Sequence, residues 1–563
     1  MIDDVRAIPE GSEVCAEVCI VGAGPAGIAL ALALADAGRH ALVLEAGRWR
    51  NDAQAQRLYA GELANGLHSP PDRYRMRGLG GSSTRWGGRC MPLDPIDFEE
   101  RDWVPDSGWP IEAQELQAHY AAANIWAEAG AFAYDAREVF ASSPPLIAGF
   151  HSALVDTHSL ERFSCPTDFG RRYGPRLRAS RQVQVLQGAV CTGLALHRSG
   201  QALEGLRVTS LDGTRRFQVR ARAIVLATGA LETARLLLAS RDVDPRGVGN
   251  DNDQVGRRYM CHIAANVGVL ELEGRPGDIC HGYEVSPEGV YCRRRLTLSP
   301  DAQREHRLLN AVARLHFPRV TDPSHGSGVL SALVLARRFI SYEYGRRLHG
   351  EALTARRLLA HVGNVARDRS DTLAFARHWL VHRTWAARKY PSVILPNRTN
   401  RFSLEVQGEQ VPHPDSRVML AEGADSLDAL GMPKLRIDWR YQPQDIDSLA
   451  RTLGLIASEL ARRGAGRLTI DAHRLEEDFL RYGAYGGHHL GTARMGTDPR
   501  RSVVDPQGRV HGLANLFITG GAVFPTCGQA NPTLTILALA LRLAGHLGRL
   551  LAPGRLPLAR ERA

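Results

Sequence analysis

The sequence predicts an α/β fold: a parallel-sheet domain assembled from separated pieces of chain, joined to an α+β lobe with a sheet flanked by helices. Three observations carry this. The chain has 563 residues, too many for one core at roughly 100–200 residues per domain. Gly22-Ala23-Gly24-Pro25-Ala26-Gly27 stands between an apolar strand and a helical run. A similar apolar strand followed by a turn and a helix recurs some two hundred residues later.

The first strand is read at Ala16–Val21, the helix in IALALALADAG, and a second strand at Ala41–Leu44, ending on Glu45. This is G-x-G-x-x-G in its strand–turn–helix setting, with an acid 18 positions after the third glycine. Each part has a physical task. Gly22 makes the tight turn, Gly24 lets backbone approach a pyrophosphate, and Gly27 permits close helix–strand packing. The helix N-terminus attracts phosphate charge, and Glu45 accepts from a ribose hydroxyl. The pattern does not separate FAD from NAD. Ala223–Ala230 reads as a further strand and turn before a helix at Leu231–Leu238, and Val183–Leu196 alternates like strand material. A nucleotide domain resumed after an intervening 150 residues is discontinuous.

Composition is that of an ordinary globular protein, 44% hydrophobic and 23% charged. The net charge of +10 is local. Between Arg337 and Lys389, twelve basic side chains face four acidic ones, which accounts for eight of the ten charges. That distribution argues against a nucleic-acid footprint. Residues 331–390 read as a basic helical insert, either a solvated face or a docking face for an acidic redox partner, an anionic membrane or a second subunit. The nine scattered cysteines show no zinc spacing and fit reduced thiols, so no metal and a cytoplasmic location are expected. Glycines and an acidic N-terminus argue against a signal peptide at Val18–Leu34. Arg542 and His546 interrupt the apolar run Leu534–Leu551, arguing against a membrane span.

Four further segments follow in order: RGLGGSSTRWGGR (Arg77–Arg89), GWPIEAQELQAHY (Gly108–Tyr120), QVGRRYMCH (Gln254–His262), and a C-terminal stretch. The last holds GGHHLGTARMG (Gly486–Gly496) and NLFITGGAVFPTCGQANPTLTILALALRLAGHL (Asn515–Leu547). Together with the N-terminal glycines, these resemble the glucose–methanol–choline (GMC) oxidoreductase family, nearest its bacterial sugar-oxidising branch of pyranose oxidases and fructose or glucoside dehydrogenases. Few landmarks fall between about 263 and 480.

The resemblance implies a flavoprotein, an FAD-dependent oxidase or dehydrogenase acting on CH–OH groups. A hydroxyl of a sugar, glycoside or polyol would become a carbonyl by hydride transfer to flavin N5, with electrons then passing to oxygen, a quinone or a redox protein. The alternatives are the same chemistry on a secondary alcohol of a lipid, sterol or other natural product, a non-redox lyase on the same fold, and a flavoprotein binding module. His488 holds the family's catalytic histidine position and Asn531 its partner's. A histidine titrates near neutrality and can take the hydroxyl proton. The adjacent His489 leaves the choice open. Asn531 can donate to the same oxygen, and before Pro532 it also reads as an N-cap. The helix beginning there would point its positive end at the flavin.

Carried over as cofactor contacts are Gly80, Gly81, Ser82, Ser83, Trp86, Val190, Gly229, Gly520, Pro532 and Thr533, beside Gly22, Gly24, Gly27 and Glu45. Where pyranose oxidases tether FAD through a histidine this chain has Arg85, so non-covalent FAD is expected. Gly520 stands where many relatives have aspartate. Arg257 and His262 are read as structural, and Cys527 as a buried small hydrophobe. The expected FAD domain is 1–98, 183–257 and 483–563. The substrate domain is 99–182 and 258–482.

Overall fold

A computed structural model describes the chain except residues 50–51, 340–352, 398, 424, 482–484 and 553–563. The part of the basic run carrying Glu343, Arg346, Arg347 and Glu351 lies outside the described residues.

The nucleotide motif forms as its residues dictate. Strand Glu13–Val21 delivers the chain to Gly22, whose φ of 102° is left-handed, and helix Pro25–Asp36 begins with proline in its first turn. A Cβ on Gly27 would stand 1.9 Å from the Gly22 carbonyl oxygen, so only glycine allows helix and turn to pack this closely. The helix is apolar nearly all round, and eight of its twelve residues are buried.

Eight strands form the first sheet, in the order Ile2–Asp4, Val183–Gln187, Ala41–Glu45, Glu13–Val21, Arg216–Leu226, Leu203–Ser210, Ala189–Leu196. Leu516–Ile518 pairs with the C-terminal half of Arg216–Leu226, and every pairing up to and including that one is parallel. The last two strands of the order are antiparallel. Val183–Leu196, read as one stretch of strand material, is two strands turned at Gly188 (φ 74°).

The second sheet is antiparallel, in the order Gly466–Thr469, Met260–Leu272, Arg401–Gly408, Ala311–His316, Leu296–Leu298, Val155–Asp156. Helix Pro443–Arg462 packs on it so closely that a Cβ on Gly408 would lie 2.6 Å from Leu449 Cδ2. Strand Tyr485–Leu490 pairs with Met260–Leu272 although its sequence lies in the stretch expected for the nucleotide domain. Conversely, Phe169–Ala179 and Ala113–Trp126, from the stretch 99–182, pack on nucleotide-side helices. The two lobes thus interleave across the site.

Helix Thr533–Leu550 is long and apolar enough to cross a membrane by length and composition. It packs on Pro25–Asp36 and Ala113–Trp126, with half of its apolar window buried, and Arg542 pairs with Glu115. It serves here as a core helix.

Candidate active site

One cavity of about 1750 Å³ runs between the lobes. That exceeds the roughly 300–1000 Å³ of a single-ligand pocket and leaves room for a dinucleotide and a second molecule.

The nucleotide end is made of strand ends and turns. Gly22, Gly24, Glu45, Gly81, Ser82, Ser83, Trp86, Val190, Gly229, Gly520, Pro532 and Thr533 all line it. Gly27 and Gly80 stand behind the wall: Gly27 packs on Gly22, and a Cβ on Gly80 would meet Gly170 N at 2.7 Å. Glu45 is buried and accepts from the backbone N–H groups of Ala23, Gly47 and Gly78 at 2.8–2.9 Å. It therefore ties three loops together and keeps about one of its four acceptor positions for a sugar hydroxyl. Arg75 and Arg77, not singled out from sequence, also line this end. They stack on Tyr59, and Arg77 binds Glu232 at 2.6 Å. Two arginines just before a glycine-rich turn were the available signal.

FAD fits these residues. No atom lies within 4 Å of a Cβ placed on Gly24 or Gly520, so both turns leave open cradles against the cavity. Thr519 Oγ1, on the same wall, is buried without a protein partner and is suited to a ligand. Arg85 is exposed at the cavity edge.

At the inner end, His488 and Asn531 meet, with Asn531 Nδ2 3.2 Å from His488 Nε2. The surrounding network fixes how each ring and amide is used. His262 Nε2 lies 3.0 Å from the Gly528 carbonyl, to which it must donate. Burial pushes His262 down to about 4, so at neutral pH the ring carries one proton and its Nδ1 is an acceptor. His488 Nδ1, 2.8 Å away, therefore donates, which leaves His488 Nε2 unprotonated and turned to Asn531. Gln407 Nε2 donates to Asn531 Oδ1 at 3.4 Å, holding the amide with its nitrogen toward His488. Burial lowers His488 well below the ordinary histidine value, and His262, Arg89 and Arg314 reinforce that.

Two sequence expectations change here. Asn531 is not an N-cap: the helix starts at Thr533, its capping residue is Pro532, and the Asn531 amide is engaged in the site instead. His262, read as structural, orients His488, and the rings cross at 86° with centroids 4.9 Å apart. Arg257 remains peripheral, bound to Asp253 and Asp415. Cys527 is buried away from the cavity and accepts from Gln410 N at 3.1 Å. His489 also lines the cavity, but its Nδ1 is engaged by the Tyr259 hydroxyl and its ring stacks on His68.

The facing wall comes from the second sheet. Asn266, His316 and Glu405 line it beside Arg89, which binds Glu161 at 3.3 Å and Glu405 at 3.8 Å. Farther out, Phe375, Trp379 and Leu380 line the mouth.

This arrangement is a nucleotide cradle opening onto a histidine–amide pair. Residues 17–325 match the family described as FAD dependent oxidoreductase, and residues 412–540 match GMC oxidoreductase. The chain belongs to the FAD-dependent oxidoreductases. Within them it carries the GMC C-terminal domain, and its relatives are named as dehydrogenases and oxidases. It is 25% identical to 2-methyl-1,2-propanediol dehydrogenase of Mycolicibacterium austroafricanum, over 95% of each chain. It is also 25% identical to 6'''-hydroxyparomomycin C oxidase of Streptomyces lividus, over 94% of this chain and 92% of the relative. With the fructose dehydrogenase large subunit of Gluconobacter japonicus it shares 23%, over 94% and 97%. Pyridoxine 4-oxidase from Mesorbium loti shares the fold, with a TM-score of 0.51 and 18% identity over 94% of this chain and 99% of that one.

Proposed function

We propose that this FAD-dependent oxidoreductase oxidises a hydroxyl of a sugar, glycoside or polyol to a carbonyl, with His488 as the base. The observation that carries this is the unprotonated His488 Nε2 held 3.2 Å from the Asn531 amide on the cavity wall.

The His488 imidazole takes the hydroxyl proton at Nε2. Asn531 Nδ2 donates to the same oxygen and fixes its position, while Gln407 keeps the amide from turning over. His262 holds the His488 ring in the productive tautomer and accepts from the imidazolium that forms. When bound, FAD supplies the two-electron sink, accepting a hydride equivalent from the carbon that bears the hydroxyl. Gly22, Gly24, Ser82, Ser83, Gly229, Gly520 and Thr533 would hold it, with Glu45 at the ribose.

The polar facing wall of Asn266, His316, Glu405 and Arg89 suits a substrate with several hydroxyls. The aromatic mouth supports a second reading, a hydrophobic alcohol of a lipid or other natural product. The acceptor is oxygen, a quinone or a redox protein, and the nine free cysteines suit a reducing compartment such as the cytoplasm.

The test is an anaerobic screen of sugars, glycosides, polyols and hydrophobic alcohols for bleaching of the flavin absorbance. Bleaching by polyhydroxy compounds is expected. Bleaching only by hydrophobic alcohols selects the second reading, and none by any alcohol removes both.

A further inference from the structure

The stretch from Leu335 to Trp385, whose helix Arg369–Trp379 contributes to the cavity lining, carries two unusual features at once. Among the described residues, nine of the sixteen exposed large apolar side chains fall between Leu335 and Trp385. The same stretch carries most of the chain's net positive charge. Solvated surface helices do not expose leucine and tryptophan at this density, and contiguous patches of this kind mark interaction sites.

The placement is ordered. Helix Ala355–Arg367 turns His361 and Asn364 inward, where both bond Ser331. At 3.6 residues per turn, Leu358, Leu359 and Val362 then share one outward stripe, and Arg356 and Arg367 share the next. In the following helix, Arg369–Trp379, Leu373 is 70% exposed, and just beyond it Trp385 is 73% exposed. Arg369 and Arg377, one helical turn to either side of Leu373, are exposed as well. Leu380 is both exposed and part of the cavity lining, so the patch reaches the rim of the active-site mouth.

We propose that this patch docks on an anionic lipid surface, with the mouth of the cavity opening onto it. The charge selects the occupant: an apolar stripe with arginines on the adjoining stripe inserts side chains at the acyl boundary while the cations meet lipid phosphates. A second copy of the chain would bring arginines against arginines. Docked in this way, the enzyme receives a lipid-dissolved alcohol or electron acceptor without its crossing water. The proposal does not depend on the identity of the substrate.

The test uses the full-length holoenzyme sedimented with phosphatidylcholine vesicles, with and without phosphatidylglycerol, at low and physiological salt. Binding to the anionic vesicles only, weakened by salt, is expected. The triple variant Leu359→Ser, Leu373→Ser, Trp385→Ser should bind at least tenfold more weakly, and each of Arg356→Gln and Arg377→Gln about fivefold. None of these side chains touches His488 or the nucleotide cradle, so oxidation of a water-soluble substrate should be unchanged. No binding to anionic vesicles overturns the proposal, as does equal binding by the triple variant. A concentration-dependent dimer that the same substitutions dissolve, with no lipid binding, assigns the patch to a second copy instead.

Discussion

The two walls of the cavity are built by different means. The nucleotide wall is backbone: turns at Gly22, Gly24 and Gly520, and a carboxylate, Glu45, committed to three N–H groups. The facing wall is side chain, brought from strands far apart in sequence: Asn266, His316 and Glu405, with Arg89 held between Glu161 and Glu405. Backbone cradles tolerate little change and bind a constant ligand. A side-chain wall can be rebuilt residue by residue to suit another ligand.

The first way to break this contrast concerns the nucleotide wall. If backbone and turns alone retain FAD, acid precipitation should release all the yellow colour to the supernatant. Colour remaining in the pellet would mean a covalent tether that Arg85 does not provide. The next largest effect belongs to His488. His488→Ala should slow flavin reduction by alcohol about 10²–10⁴-fold while flavin content stays constant. An equal loss in His489→Ala, with His488→Ala active, would move the base one residue along. The pH dependence has a definite sign. Because the His488 pKa is lowered, its neutral form persists as pH falls through 6.5, and kcat/KM should drop only well below that. An acid limb at or above 6.5 would contradict the buried-base geometry.

This contrast also explains what the sequence disclosed. The G-x-G-x-x-G turn, the strand ending at Glu45 and the helix after Pro532 are local, so spacing alone locates them within a few residues. The His488 and Asn531 positions came from family likeness, not from spacing. No local signal indicates that His262 would reach His488 across 226 residues. That contact exists because strand Tyr485–Leu490 pairs with strand Met260–Leu272. Nor could sequence show that the Asn531 amide turns from the helix end to Gln407 and His488, since an asparagine before a proline at a helix start reads as an N-cap. The interleaving of the lobes at 99–182 and 485–490 was hidden for the same reason: it is long-range pairing and packing.

His262→Leu tests the reach of that pairing. It should lower kcat about 10–100-fold with little change in KM, because the His488 ring loses its orienting acceptor and not its substrate contact. The acid limb should also shift, since His262 faces the His488 ring and the two titrate against each other. A residue of merely structural importance would reduce folded protein without shifting the limb. The stability consequence runs in a fixed direction. His262 is depressed to about 4 in the folded protein, so its contribution is present above about 6.5 and is lost as pH falls through 4. The variant should therefore lose less thermal stability between those values than the parent.

The smallest effect belongs to the mouth. Trp379 lines the cavity with the Arg383 guanidinium 5.0 Å above its ring, far from the histidine pair in chain position and chemistry. Trp379→Ala removes an aromatic contact that a substrate meets as it binds and keeps in the transition state, so the loss is uniform binding. KM for a substrate bearing a large apolar group should rise about 3–10-fold with kcat unchanged, and a small polyol should be affected less. If kcat fell for both, the mouth would be coupled to the chemistry and the division between a conserving backbone wall and an adjustable side-chain wall would not hold.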